Sequence, residues 1–137
     1  MAGYSGTPLP RKLGIKAGHL VAFPGAPAKF TGVLGRLPDR VVIKKRAVSP
    51  LDVVVAFFGR RAELERRFER LAATIFPDGA LWIAWPKRAS GLATDLSEDV
   101  ARELGLRHGL VDNKVCAIDE TWSGLRLVYR LENRGRS

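Results

Sequence analysis

Two blocks of the chain are apolar without interruption, and the block between them has a helical rhythm. Val53 to Phe58 contains no polar residue, and Ala80 to Trp85 repeats the pattern. Runs of this length without polar alternation predict strands covered on both faces, as in a parallel sheet. Between them, Leu64, Phe68, Leu71, Ala72 and Ile75 fall at i, i+4, i+7, i+8 and i+11. That spacing makes one apolar stripe and predicts a helix over Arg61–Ile75. Glu63 and Arg67 can pair on its wet face, and Pro77-Asp78-Gly79 ends it.

Weaker signals flank this centre. His19 to Phe23 reads as a short buried strand stopped by Pro24-Gly25-Ala26-Pro27, and Val41 to Lys45 as a second strand, β-branched before its lysines. Lys29 to Leu37 is a short helix candidate ended by Pro38. Asp95 or Ser97 caps a further helix carrying Leu96, Val100 and Leu104, with Gly105 as its stop. Val111–Ile118 and Leu125–Leu131 are the last two strands. In the final one Leu125, Leu127, Tyr129 and Leu131 face one way and Arg126 and Arg130 the other, with Val128 the exception. Such alternation suits an antiparallel pair at a sheet edge. The expected organisation is a basic arm at residues 1–18, rich in Gly and Pro with at most one helical turn. A single α/β domain at 19–131 and a frayed polar tail at 132–137 follow. The fold class is α/β: a shortened Rossmann-like, mostly parallel sheet flanked by helices and ending in an antiparallel β-hairpin.

Composition sharpens the picture. The chain has 137 residues, enough for one domain with a core. Its longest apolar runs are far shorter than the roughly 20 residues of a membrane span. The start, MAGYSGTPLPRK, has no apolar h-region of a secretory signal. One cysteine, Cys116, gives no intramolecular disulfide and, with only His19 and His108, no metal site. A soluble protein of the reducing cytoplasm is expected. The net charge is +9, and its distribution is uneven: Met1–Arg46 holds nine basic residues and one acid. The densest cluster is Lys44-Lys45-Arg46. Such a basic region attracts polyanions by counterion release and steering.

The runs DVVVAFF and ELERRFERLAATIFPDGALWIAW resemble the second half of the class I methyltransferase fold, from Val53 to Arg130 in order and spacing. The whole chain is also similar to a family of small, uncharacterised bacterial proteins. The stretches that carry this likeness are GYSGTPLPRKLGIK, LWIAWPKRASG and KVCAIDETWSGL. The first resemblance implies a cofactor over the carboxyl end of strand one, cradled by a Gly-rich turn, with an acid at the end of strand two holding the ribose. This sequence departs from that pattern. The turn offers one glycine, Gly25, between prolines, and Lys44, Lys45 and Arg46 stand where the carboxylate belongs. Ala47–Asp52 is also too short for a helix and a strand, so one strand of the family's sheet is missing. No cofactor is therefore expected.

Other constellations are thinner. Trp85, Lys87, Ser90 and Gly91 follow a strand at the sheet edge where α/β proteins bind ligands, and could stack on and neutralise a nucleotide-like group. With strand order 2-1-3, this loop would approach Lys44–Arg46. Asp119-Glu120 in the last turn could do acid–base work, but reads better as a hairpin loop with Trp122 packing. Cys116 has no base placed beside it and reads as a small buried hydrophobe. The residues favour a binding module for an anionic or nucleotide-containing ligand, using Gly25, Lys44, Lys45, Arg46, Trp85, Lys87, Ser90 and Gly91. The rival readings are nucleic-acid binding through the basic first third, and a small-molecule enzyme such as a residual methyltransferase.

Overall fold

The computed structural model describes residues Gly6 to Gly135. Six strands form one sheet in the order β2-β1-β3-β4-β6-β5. They are β1 (Leu20–Ala22), β2 (Val42–Ile43), β3 (Val53–Phe57), β4 (Ala80–Pro86), β5 (Leu110–Ala117) and β6 (Trp122–Tyr129). The first four are parallel, and β6 runs antiparallel to both β4 and β5. The 2-1-3 order of the first strands and the antiparallel pair at the far edge are as the sequence predicts.

The absence of polar alternation in β3 and β4 has the expected cause. Successive residues enter two different cores, because strand side chains alternate between faces. Val54, Ala56, Phe58, Leu81, Ile83 and Trp85 pack with Leu64, Phe68, Leu71 and Ile75 of the central helix, α3 (Arg61–Thr74). Leu96, Ala101 and Leu104 complete that side from α4 (Glu98–Arg107) and the loop before it. Val53, Val55, Phe57, Trp82 and Ala84 pack on the opposite side, against α1 (Leu9–Leu13) and α2 (Phe30–Leu34).

That second side corrects the expected arm. Leu13 is fully buried, Leu9 and Ile15 nearly so, and the Trp82 indole N–H donates to the Leu13 carbonyl at 3.0 Å. Residues 6–18 therefore belong to the domain, because apolar side chains at 9, 13 and 15 cover one face of the sheet; Met1–Ser5 lie outside the described residues. The tail is likewise tied in as far as Gly135. Leu131–Arg134 form a helical turn, α5, whose Arg134 side chain donates to the Tyr129 carbonyl at 2.9 Å and whose Asn133 donates to the Gly109 carbonyl at 3.0 Å.

Three boundaries move for local reasons. Helix α2 stops at Gly35, before Pro38 is reached. Helix α4 is capped by Ser97, whose Oγ accepts from the Val100 N–H at 3.3 Å, and it runs through Gly105 to Arg107. Gly105 is needed for packing: a Cβ there would meet Leu127 at 2.8 Å. The chain turns instead at Gly109, where φ is +85°. Asp95, the rival cap, serves a different helix and accepts the Arg61 N–H at the start of α3 at 2.7 Å. Strand β6 begins at Trp122 rather than Leu125, so the hairpin turn shrinks to Ile118–Thr121, with Asp119 Oδ1 accepting from the Thr121 and Trp122 N–H groups at 2.8 Å each.

Candidate functional site

In a mostly parallel sheet, ligands bind beyond the carboxyl ends of the strands, where successive connections diverge. After β1 the chain turns through Phe23–Pro27, and this turn is drawn onto the end of β3. The Phe57 N–H donates to the Pro24 carbonyl at 2.9 Å. Gly25 has φ of +74°, and a Cβ there would meet the Phe57 oxygen at 2.7 Å, so only glycine fits. Edge-on ring contacts from Phe23 to Phe30, Phe30 to Phe57 and Phe57 to Trp122, all about 5 Å, lock the turn from the other side. Pro24 and Pro27 have no N–H, and that of Ala26 is spent on the Phe23 carbonyl at 3.2 Å. The turn is a poor cradle for an anion by its backbone alone.

The side chains beside it are another matter. Lys44 ends β2, its N–H donating to the Val21 carbonyl at 2.7 Å, and the chain then runs through Lys45, Arg46, Ala47 and Val48 back toward β3. This connection carries no helix. Part of the sheet's α3 side is left open, and a groove of about 720 Å³ forms between the connection, the Pro24-Gly25 turn and α3. Helix α3 turns Arg66, Arg67 and Arg70 into it. Together with Lys45 and Arg46 these make five cationic side chains along the groove, and no lining residue is acidic. Arg67 lies over the Phe58 ring at 5.8 Å, and Arg66 has only an exposed, long pairing with Glu63 at 3.6 Å. Like charges held this close raise the local potential and concentrate anions.

The sequence placed Gly25, Lys45 and Arg46 at this site, and the structure brings them together. It missed Arg66, Arg67 and Arg70, which read as the wet face of an amphipathic helix. Their spacing at i, i+1 and i+4 was the available signal, but the partner wall is nonlocal. Lys44 is exposed at the end of β2 and does not line the groove.

The expected approach of the Trp85–Gly91 loop to Lys44–Arg46 does not occur. β2 and β4 are separated by β1 and β3, about 14 Å at normal strand spacing. Trp85 is buried in the α3-side core rather than offered to a ligand. Ser90 and Gly91 shape a turn: the Ser90 hydroxyl donates to the Lys87 carbonyl at 2.7 Å and accepts from the Leu92 N–H, while Gly91 has φ of +80°. The Lys87 N–H is bonded to the Thr121 carbonyl at 2.7 Å, and its side chain is half-buried.

The remaining reactive groups stand apart. His19 Nδ1 accepts from the Lys16 N–H, and the His108 ring packs against Phe68 with Nδ1 3.0 Å from the Leu104 carbonyl oxygen. Cys116 is half-buried on the α1 side, and burial raises its thiol pKa, as expected for a packing residue. Arg126 is also half-buried, its pKa lowered by burial and then by the charge of Arg134. The cations of the first third do not gather on one face. Lys12 and Lys29 line one cavity, and Arg11, Lys16 and Arg36 another. Among the described residues no helix is long and apolar enough to cross a membrane.

No family model and no curated protein sequence matches this chain. Solved structures do. The chain is similar to a SAM-dependent methyltransferase from Aquifex aeolicus at 17% identity, covering 85% of each chain, with a TM-score of 0.59. It is similar to magnesium protoporphyrin IX methyltransferase from Synechocystis PCC 6803 with bound SAM at 12% identity. That match covers 89% of this chain and 74% of the other, with a TM-score of 0.57. It also matches the fibrillarin pre-rRNA processing protein of Methanococcus jannaschii at 12% identity, 93% and 70% coverage, and a TM-score of 0.58. Identities this low carry the fold and no more. The sulfonium cofactor that this fold implies does not suit the residues present. Gly25 is pressed onto Phe57, Lys44 ends β2, and the groove beside them is wholly cationic. The chain has a shortened, methyltransferase-like Rossmann fold, as its sequence pattern implied.

Proposed function

We propose that this protein binds a phosphate-bearing anion in the groove between α3 and the β2–β3 connection. The observation that carries this reading is the set of five cations, Lys45, Arg46, Arg66, Arg67 and Arg70, on a groove with no acidic residue. Arginine suits such a role because its planar fork pairs with two phosphate oxygens at once. The cations of the first third are dispersed over three regions. That favours a compact anion, such as a nucleotide, over a long nucleic acid that would need a continuous track. Gly25, Lys45 and Arg46 stay in the proposed site, and Arg66, Arg67 and Arg70 join it. A cytoplasmic setting is part of the same proposal, since the one thiol, Cys116, is free.

Methyl transfer is the second reading. The fold comparisons support it and lend nothing to a non-catalytic role, since the matched structures include SAM-dependent methyltransferases. The side chains oppose it, because cations at the groove repel a sulfonium. Calorimetric titration of one preparation with ATP and with adenosylmethionine separates the two. The anion reading expects ATP to bind and adenosylmethionine to give no heat at millimolar concentration. Micromolar affinity for adenosylmethionine, with none for ATP, establishes the methyltransferase reading in its place.

A further inference from the structure

A second cavity lies on the opposite side of the sheet from the cationic groove. It has a volume of about 550 Å³, within the range of pockets that enclose small ligands. Two of the stretches singled out in the sequence meet around it: Pro8, Leu9 and Lys12 at the start of α1, and Ile118, Asp119 and Glu120 in the β5–β6 turn. Lys29 and Val33 close it from α2. The walls contributed by Pro8, Leu9, Val33 and Ile118 are apolar.

Asp119 is the one buried charged residue among the described residues, 8% exposed. Its Oδ1 is used by the turn, accepting two N–H groups at 2.8 Å. Its Oδ2 is buried, and no donor among the described residues reaches it. The other buried polar side chain, Thr74, is satisfied by the Leu71 carbonyl at 2.6 Å. A buried carboxylate oxygen without a donor is costly and rare in native proteins. The hairpin turn needs only one of the two oxygens, so turn geometry does not explain the second. An apolar cavity with a single strong acceptor in its wall selects a molecule with an apolar body and a cationic donor.

We infer that this cavity binds a small primary amine with an apolar body, whose ammonium group donates to Asp119 Oδ2. Glu120 adds a second negative charge at the same end of the cavity, and Lys12 and Lys29 lie on its other segments, where they disfavour a second ammonium.

The test is a calorimetric titration with phenethylamine, tyramine and isoamylamine, with 3-phenylpropionate and 2-phenylethanol as controls. The wild type should bind at least one amine and bind the carboxylate at least tenfold more weakly. Asp119→Asn keeps an oxygen for the two turn N–H groups and puts a donor where Oδ2 stood, so it should weaken amine binding at least tenfold while the melting temperature holds or rises. Should that variant unfold, Val33→Trp fills the cavity from α2 without touching the turn and should abolish binding. Two outcomes overturn the inference. One is no amine binding up to 10 mM (on the order of the weakest affinities such pockets show). The other is undiminished binding by the folded Asp119→Asn protein or, if that variant unfolds, by Val33→Trp.

Discussion

Phe68 and Cys116 show how much a single side chain reveals of its surroundings. Phe68 is fully buried between α3 and the sheet, beside the His108 ring, as the helical stripe predicts. Phe68→Ala should cost about 3–5 kcal/mol by urea denaturation; a loss under 1 kcal/mol would contradict the packing of α3 on the sheet. Cys116 is half-buried, and that burial raises its pKa. A raised thiol pKa keeps the neutral form in the folded state. The stability it contributes is present below the ordinary thiol range and is lost as pH rises above it. Its alkylation by iodoacetamide should stay slow at neutral pH and climb only above that range, with a jump on unfolding at any pH. Both residues could be read from sequence because their roles follow from local pattern and apolarity. Gly25 could be read only in part. Its identity marked a turn, whereas its contact with the Phe57 oxygen joins residues thirty-two positions apart.

At the level of elements, the long ones were legible and the short ones were not. β3, α3 and β4 announce themselves because burial on both faces, or on one stripe, leaves a periodic trace. α1 carries Leu9 and Leu13 among prolines and lysines, too little for a periodicity, and its docking depends on the Trp82 indole. β2 is two exposed residues held by pairing with β1, so it has no burial signature at all. The join between α3 and β6 is also nonlocal: the Tyr129 hydroxyl donates to the Ala72 carbonyl at 2.8 Å. Removing it in Tyr129→Phe should cost about 1 kcal/mol, the usual net value of such a bond. Thermal denaturation checks this, and an unchanged midpoint would mean that the bond contributes nothing.

For the whole molecule, the notable feature is charge laid on a familiar scaffold in an unfamiliar way. The fold was legible down to the missing strand, because the six-residue Ala47–Asp52 segment left no room for it. The same short connection leaves the α3 side open and so makes the groove. The candidate site was legible only in its β2 half. Arg66, Arg67 and Arg70 look like an ordinary solvated face until the fold sets Lys45 and Arg46 opposite them. Exposed charges contribute little to stability singly, so removing these cations should leave folding within about 0.5 kcal/mol of the wild type.

The most direct measurement is therefore calorimetric titration of ATP into the wild type and into a variant carrying Lys45→Gln, Arg46→Gln, Arg67→Gln and Arg70→Gln. The wild type should bind, with affinity falling as salt rises from 50 to 200 mM (about the range over which ionic screening tightens toward a Debye length of 8 Å). The folded variant should bind at least tenfold more weakly (roughly 0.5–1 kcal/mol for each exposed ion pair removed) and with little salt dependence. Equal affinity and equal salt dependence in the two proteins would contradict the account and leave the basic groove without a ligand.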